Sequence, residues 1–287
     1  TLKEWLQYDF KAGWGTEKFE DKVSDNHKFP KRWESVDDRF DAREILDTQF
    51  ERLELIRQKR LELLRNGYAI GKIETKRASR NGIKFRVEVK NITDGHNAPT
   101  GFTGERLVWL RVKVTDNAGK VVFVSGDTDP NGDVRDNESS YVHAGKMPLD
   151  EQLFSLQSRF LVQNIRGGER ERTVTIPYST TALPFLRPTR LSLILTGEST
   201  VERNHRKGIE ALGHRWAEYK IRSGVLAGKG PYMATIELMA QMFPINLITT
   251  IQVVGFDYNL SPREVADAVL AGREVLVKKT IIFDVDK

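Results

Sequence analysis

Between Val124 and Ser139 the chain reads Ser-Gly-Asp-Thr-Asp-Pro-Asn-Gly-Asp-Val-Arg-Asp-Asn-Glu, and its side-chain oxygens fall where a calcium loop needs them. With Asp127 as position one, Asp129 and Asn131 stand at three and five, Gly132 at six, Asp133 at seven and Glu138 at twelve. A hard cation takes about six to eight oxygen ligands, and a loop presenting alternate residues inward supplies them in turn. The expected set is Asp127, Asp129, Asn131, a backbone carbonyl at Asp133, and Glu138 through both carboxylate oxygens. Gly132 permits the sharp bend at the sixth position. The flanks are not those of a helix-loop-helix hand: Val121 to Val124 is a β run, and Ser139 to Val142 has no helical pattern. The ion would therefore be structural. The competing reading is a solvated acidic turn, since Asp, Asn and Gly are also what turns are made of.

His96 is the sharpest single residue. It lies in Gly95-His96-Asn97-Ala98-Pro99-Thr100-Gly101, a Gly/Pro loop between two strands, where an imidazole can reach out to a metal or hydrogen-bond the backbone and hold the turn. His143, five residues past the acidic loop, has nothing to raise it to a ligand. His205 and His214 are nine residues apart, which matches neither a zinc helix nor a finger, and His27 beside Phe29-Pro30 is a docking spot at most. No Gly-x-Ser-x-Gly elbow, His-Glu-x-x-His helix or Walker loop is present. Gly224-Val-Leu-Ala-Gly228-Lys-Gly230 comes nearest, with one residue too few between its glycines and glycine where a hydroxyl is needed. An enzyme is not expected.

The elements that must position these residues change character near residue 67. Residues 1–34 carry Trp5, Trp14 and Trp33 in an irregular arm. Ser35 with Asp38 opens a long helix whose Leu46, Phe50, Leu53, Leu61 and Leu64 recur at helical spacing, and Asn66-Gly67 stops it. At 1.5 Å per residue it is roughly 45 Å long, and its apolar stripe needs another body to lie against. From Tyr68 the period becomes two. Asn81-Gly82 joins one hairpin and Asn117-Ala-Gly119 a second, between Leu107–Val114 and Lys120–Val124. Further strands are expected near Gln152–Val162, Thr173–Ile176, Leu191–Leu195, Met233–Met239 and Val275–Phe283, and Ser261-Pro-Arg-Glu264 starts a late helix near 261–272. The expected fold is mainly β with a helical arm (α+β): an antiparallel, immunoglobulin-like β-sandwich preceded by a long helix. The domains would be 1–67, arm and docking helix, and 68–287, the sandwich.

Composition narrows the partners. Forty-five basic and 40 acidic residues leave a net charge of only +5, with no dense basic tract, so nucleic acid is not expected. No apolar run approaches a membrane helix, and no signal peptide is visible at Thr1, as in a mature, processed form. With no cysteine there are no disulfides, thiolate zinc sites, iron–sulfur clusters or covalent c-type haem attachments within the chain.

Several phrases stand out together: Gly95-His96-Asn97-Ala98-Pro99-Thr100-Gly101-Phe102, Glu105-Arg106-Leu107-Val108-Trp109-Leu110, Ser125-Gly126-Asp127 to Asp133, Leu153-Phe-Ser-Leu-Gln-Ser158, and Gly167-Gly-Glu-Arg-Glu171. From about Trp14 to the C-terminus the chain resembles the C-terminal, non-haem portion of large bacterial multihaem c-type cytochromes, which are secreted or periplasmic electron carriers. It departs from them in lacking any Cys-x-x-Cys-His motif. The resemblance implies an electron-transfer assembly in the periplasm or outside the cell, hetero- or homo-oligomeric, with haem c supplied only by a partner cytochrome chain. It also implies that His96 is an axial ligand in trans. The chain's own work would be positional. A different class fits the same elements: a secreted, calcium-dependent carbohydrate- or surface-binding β-sandwich with exposed aromatic residues.

Overall fold

The computed structural model describes residues 13–101, 104–164, 172–176, 202–205, 207–226, 230–256 and 260–285. The chain divides into two units, Thr1–Leu63 with Ile251–Val265, and Leu64–Thr250 with Ala266–Lys287.

The first unit is built around the start of the long helix. A short helix α1 (Glu17–Glu20) and a 3-10 turn (Lys31–Trp33) precede α2 (Val36–Gly67). The Ser35 hydroxyl accepts from the Asp38 amide at 3.3 Å, the cap that its spacing predicted. Trp14 and Trp33 bury against Ala42 and Leu46 of α2, with Phe19 and Phe29 packed around them. Inside this cluster lies a buried ion pair. Arg39 reaches Glu20 with Nη2 at 2.6 Å and Nε at 2.9 Å, and its Nη1 donates to the Trp33 carbonyl at 2.6 Å. The guanidinium lies 3.7 Å from the centre of the Phe29 ring.

The second unit is the predicted antiparallel sandwich. One sheet has the order β1-β2-β8, from Tyr68–Ser79, Gly82–Asn91 and His214–Arg222. The other has the order β10-β9-β3-β4, from Glu274–Phe283, Tyr232–Gln241, Leu107–Thr115 and Val121–Ser125. All their pairings are antiparallel. Period-two alternation sends Ile83, Phe85, Val87 and Val89 of β2, with Ala217, Tyr219 and Ile221 of β8, toward Val108, Leu110, Val112 and Val114 of β3 and the Ala234, Ile236, Leu238 row of β9. Phe85 touches Tyr219 and Phe283, so aromatic rings bridge the sheets. A third sheet, β6-β5-β7, joins Arg172–Ile176, Arg159–Asn164 and Glu202–His205.

Short helices α3 (Ser140–His143) and α4 (Ile245–Ile251) follow loops, and α5 spans Pro262–Ala271. The Ser261 and Glu264 side chains cap α5 reciprocally, at 3.0 and 3.2 Å. The strand expected over Gln152–Val162 begins only at Arg159. Its first half instead lies along β3, through the Leu110 amide to the Phe154 carbonyl and the Leu156 amide to the Val108 carbonyl. It covers the part of β3 that β4 leaves open, since β4 pairs only with Val112–Thr115. The strand expected over Leu191–Leu195 lies outside the described residues.

Candidate functional site

The acidic loop closes over the outer face of the four-stranded sheet. Leu107, Trp109 and Met239 on that face form a small second core with Val134 from the loop. The Trp109 indole donates to the Gly126 carbonyl at 2.9 Å, fixing the point where the loop leaves β4. Asp150 closes the base, its Oδ2 accepting from the Gly126 amide at 2.7 Å and from the Ser125 hydroxyl at 2.9 Å.

Within the loop each predicted ligand has other work. Asp129 Oδ1 accepts from the amides of Asn131, Gly132 and Asp133 at 2.8, 2.9 and 3.1 Å, and its Oδ2 from the Ser139 hydroxyl at 2.6 Å. That is an Asx turn extended by two further amides. Asp127 is bound by Arg135 through Nε at 2.8 Å and Nη2 at 2.6 Å. The Asn131 amide group donates to Ser140 at 3.1 Å. Asp133 is buried, and its Oδ1 accepts from the Asn246 amide at 3.0 Å. At Glu138 it is the backbone carbonyl that meets Asn246 Nδ2, at 3.5 Å. Gly132 has φ +100°, and a Cβ there would stand 2.4 Å from Leu270 of α5, so the bend and the close approach both require glycine.

As placed, Asp127, Asp129, Asn131, Asp133 and Glu138 do not form one calcium shell. Among the described residues, no group of three or more His, Cys, Asp or Glu side chains is placed to hold a metal ion. In this arrangement arginine supplies positive charge to the loop. Arg135 neutralises Asp127, and Arg273 donates to the Gly132 carbonyl at 2.7 Å and to Gln241 at 2.6 Å. Among the described residues Asp133 makes no ion pair to balance its burial. Burial first, and the neighbouring Asp129 and Asp136 charges after it, push its carboxyl up to about 7. Arg135 stands inside the predicted loop, and a basic residue among its acids is the one local signal that could have pointed to this arrangement. Arg273 and Asn246, far along the chain, gave none.

His96 lies in a different loop, held by a residue the sequence did not single out. Asn91, buried at the end of β2, donates through Nδ2 to the carbonyls of His96, Ile209 and Glu210 at 2.8, 3.1 and 3.1 Å. Its Oδ1 accepts from the Thr93 amide at 3.0 Å. The His96 ring is exposed, with Nδ1 3.0 Å from the Asn97 carbonyl. When Nδ1 donates to that carbonyl, Nε2 carries the lone pair. His143 and His214 are exposed, and His214 stands 3.9 Å from Glu88. His27 packs edge-on against Phe29 in the first unit. Residues 227–229 of the glycine turn lie outside the described residues.

The other candidate surface is on α2. Ile45, Leu53, Ile56 and Leu63 are 57%, 57%, 61% and 74% exposed, whereas Leu46 and Leu61 are buried. The stripe that the sequence sets out is thus split: its first turns are packed and its middle faces solvent. Among the described residues no helix is long and apolar enough to cross a membrane.

No family model and no curated protein matches the chain. Among solved structures it is similar to a penta-haem cytochrome c552 from Thermochromatium tepidum, with 12% identity and a TM-score of 0.42. The alignment covers 77% of this chain, which spans only 41% of that one. A likeness at this level says nothing about chemistry.

Proposed function

We propose that this chain is a haem-free assembly module of an electron-transfer complex, working in the periplasm or outside the cell and docking a haem-bearing cytochrome chain through α2. The observation that carries it is the solvent-facing row Ile45, Leu53, Ile56 and Leu63 on a helix whose first turns are already packed. An exposed apolar row of this kind marks a surface meant to be covered. The cytochrome as partner comes from the phrases around His96, Trp109 and the acidic loop, and His96 fits the finer reading. Its ring is exposed, and donation from Nδ1 to the Asn97 carbonyl sets the tautomer that leaves Nε2 free to ligate. The role is positional, with no chemistry of the chain's own.

The test is purification of the tagged full-length chain from its native host, followed by haem staining and a Soret spectrum. Unmodified protein is expected to co-elute with a c-type haem chain, and the double change Leu53→Ser with Ile56→Ser to lose it while retaining the sandwich's cooperative unfolding. His96→Ala is expected to keep the assembly but convert one haem from bis-histidine to five-coordinate or water-ligated. A haem-free assembly rejects the reading, and an unchanged spectrum with His96→Ala removes the ligand role alone.

A further inference from the structure

We infer that the exposed face of α2 takes an apolar protein surface rimmed by carboxylates, on a chain other than its own copy. The inference rests on the docking role just proposed and names the chemistry of the partner. At about 100° per residue, Ile45, Leu53, Ile56 and Leu63 fall within roughly a quarter of the helix circumference. Arg52 and Lys59 border this arc on one side and Arg57 on the other, and Arg60 stands inside it. From Glu44 on, the acids lie on the far side, Glu44, Asp47, Glu51, Glu54 and Glu62, while Asp38 and Asp41 of the first turns come before the row. Two of the bases are engaged locally, Arg57 with Glu54 at 2.8 Å and Lys59 with Glu62 at 3.0 Å. Arg52 and Arg60 are exposed and make no ion pair among the described residues.

Charge selects among the possible occupants. A second copy laid on this face, parallel or antiparallel, brings Arg52, Arg57, Lys59 and Arg60 against one another, and like charges along a helical seam oppose pairing. An anionic bilayer favours helices whose polar face is basic, whereas the polar face here is acidic. A protein surface with aliphatic side chains inside and Asp or Glu at its edges satisfies both the apolar row and the guanidinium groups of Arg52 and Arg60.

The test uses the full chain and two synthetic helical peptides. Both carry Leu at heptad positions a and d, and one has Glu and the other Lys at e and g. Fluorescence anisotropy is expected to show the Glu peptide binding at least tenfold tighter than the Lys peptide, a preference that shrinks with added salt. Arg52→Glu with Arg60→Glu is expected to reverse it, and Leu53→Ser with Ile56→Ser to abolish both. Equal binding of the two peptides overturns the inference. So does failure of both to bind, binding to phosphatidylglycerol vesicles in their place, or a Leu53-dependent dimer in sedimentation. A native assembly without haem would sink the cytochrome reading and leave this one standing if the Glu peptide still binds.

Discussion

Asp133 holds a proton that solvent would take from it. Its carboxyl is buried and has two acidic neighbours, which outweigh the Asn246 and Ile245 amides that meet it and lift it from the ordinary 3.8 to about 7. Between about pH 4 and pH 7 the folded chain keeps this proton and the unfolded chain has released it. The folded state binds more protons there, so this residue's contribution makes stability fall as pH rises through the window and level off above about 7. Asp133→Asn keeps an acceptor for the Asn246 amide and removes the titration. Urea unfolding at several pH values is expected to show a shallower decline for the variant, and identical slopes would refute the assignment. A chelator is expected to leave the melting temperature unchanged at pH 7, because Arg135 and Arg273 already supply the positive charge of the loop. A drop of several degrees would restore calcium to it. The spacing of this loop was legible in the sequence, but the partners of its oxygens were not. Asx turns and calcium loops draw on the same residues, and Arg273 and Asn246, which meet this loop, both lie more than a hundred positions away.

At the scale of elements, the start of α2 depends on one ion pair. Arg39 holds the Glu20 carboxyl below its usual range, chiefly through their direct hydrogen bonds, with burial opposing. Both side chains are about 95% buried. Removing one partner leaves an uncompensated buried charge, which typically costs about 3–5 kcal/mol. Arg39→Ala is therefore expected to unfold the Trp14–Trp33 cluster while the sandwich stays intact, seen as early loss of tryptophan fluorescence in urea. A single unshifted transition would show that the pair contributes little. The helix itself was readable from Ser35 and Asn66-Gly67, and the two hairpins from their glycine turns, because these signals are local. Strand β8 was missed although Ala217, Tyr219 and Ile221 alternate inward along it. Ala217 is too small and the flanking charges too dense for the period to stand out. Asn91 was passed over because a buried asparagine at a strand end looks, in sequence, like any loop residue.

For the whole molecule, the two units respond to separate demands: one makes a sandwich core, the other displays a helix face. Substitutions at Leu53 and Ile56 are expected to leave sandwich stability within about 0.5 kcal/mol of the parent by urea titration, since exposed positions contribute little to a core they do not touch. A larger loss would make the row part of the fold and not a surface for a partner. The sheet pairings carry a consequence for how this chain comes into being. Lys90 waits for His214, and Leu107 for Gln241, so the inner strands β2 and β3, each already in a hairpin, find their second neighbour only after well over a hundred further residues. Such pairings meet a large loop-closure cost before any contact repays it, and they slow folding. On the ribosome, the hairpins Tyr68–Asn91 and Leu107–Ser125 emerge early with aliphatic faces bare until β8 and β9 follow. A nascent chain stalled before Trp216 is expected to be captured by chaperones or cut by protease, and one released past Phe283 to resist both. Its exposure to misfolding is thus set by translation time as much as by final stability.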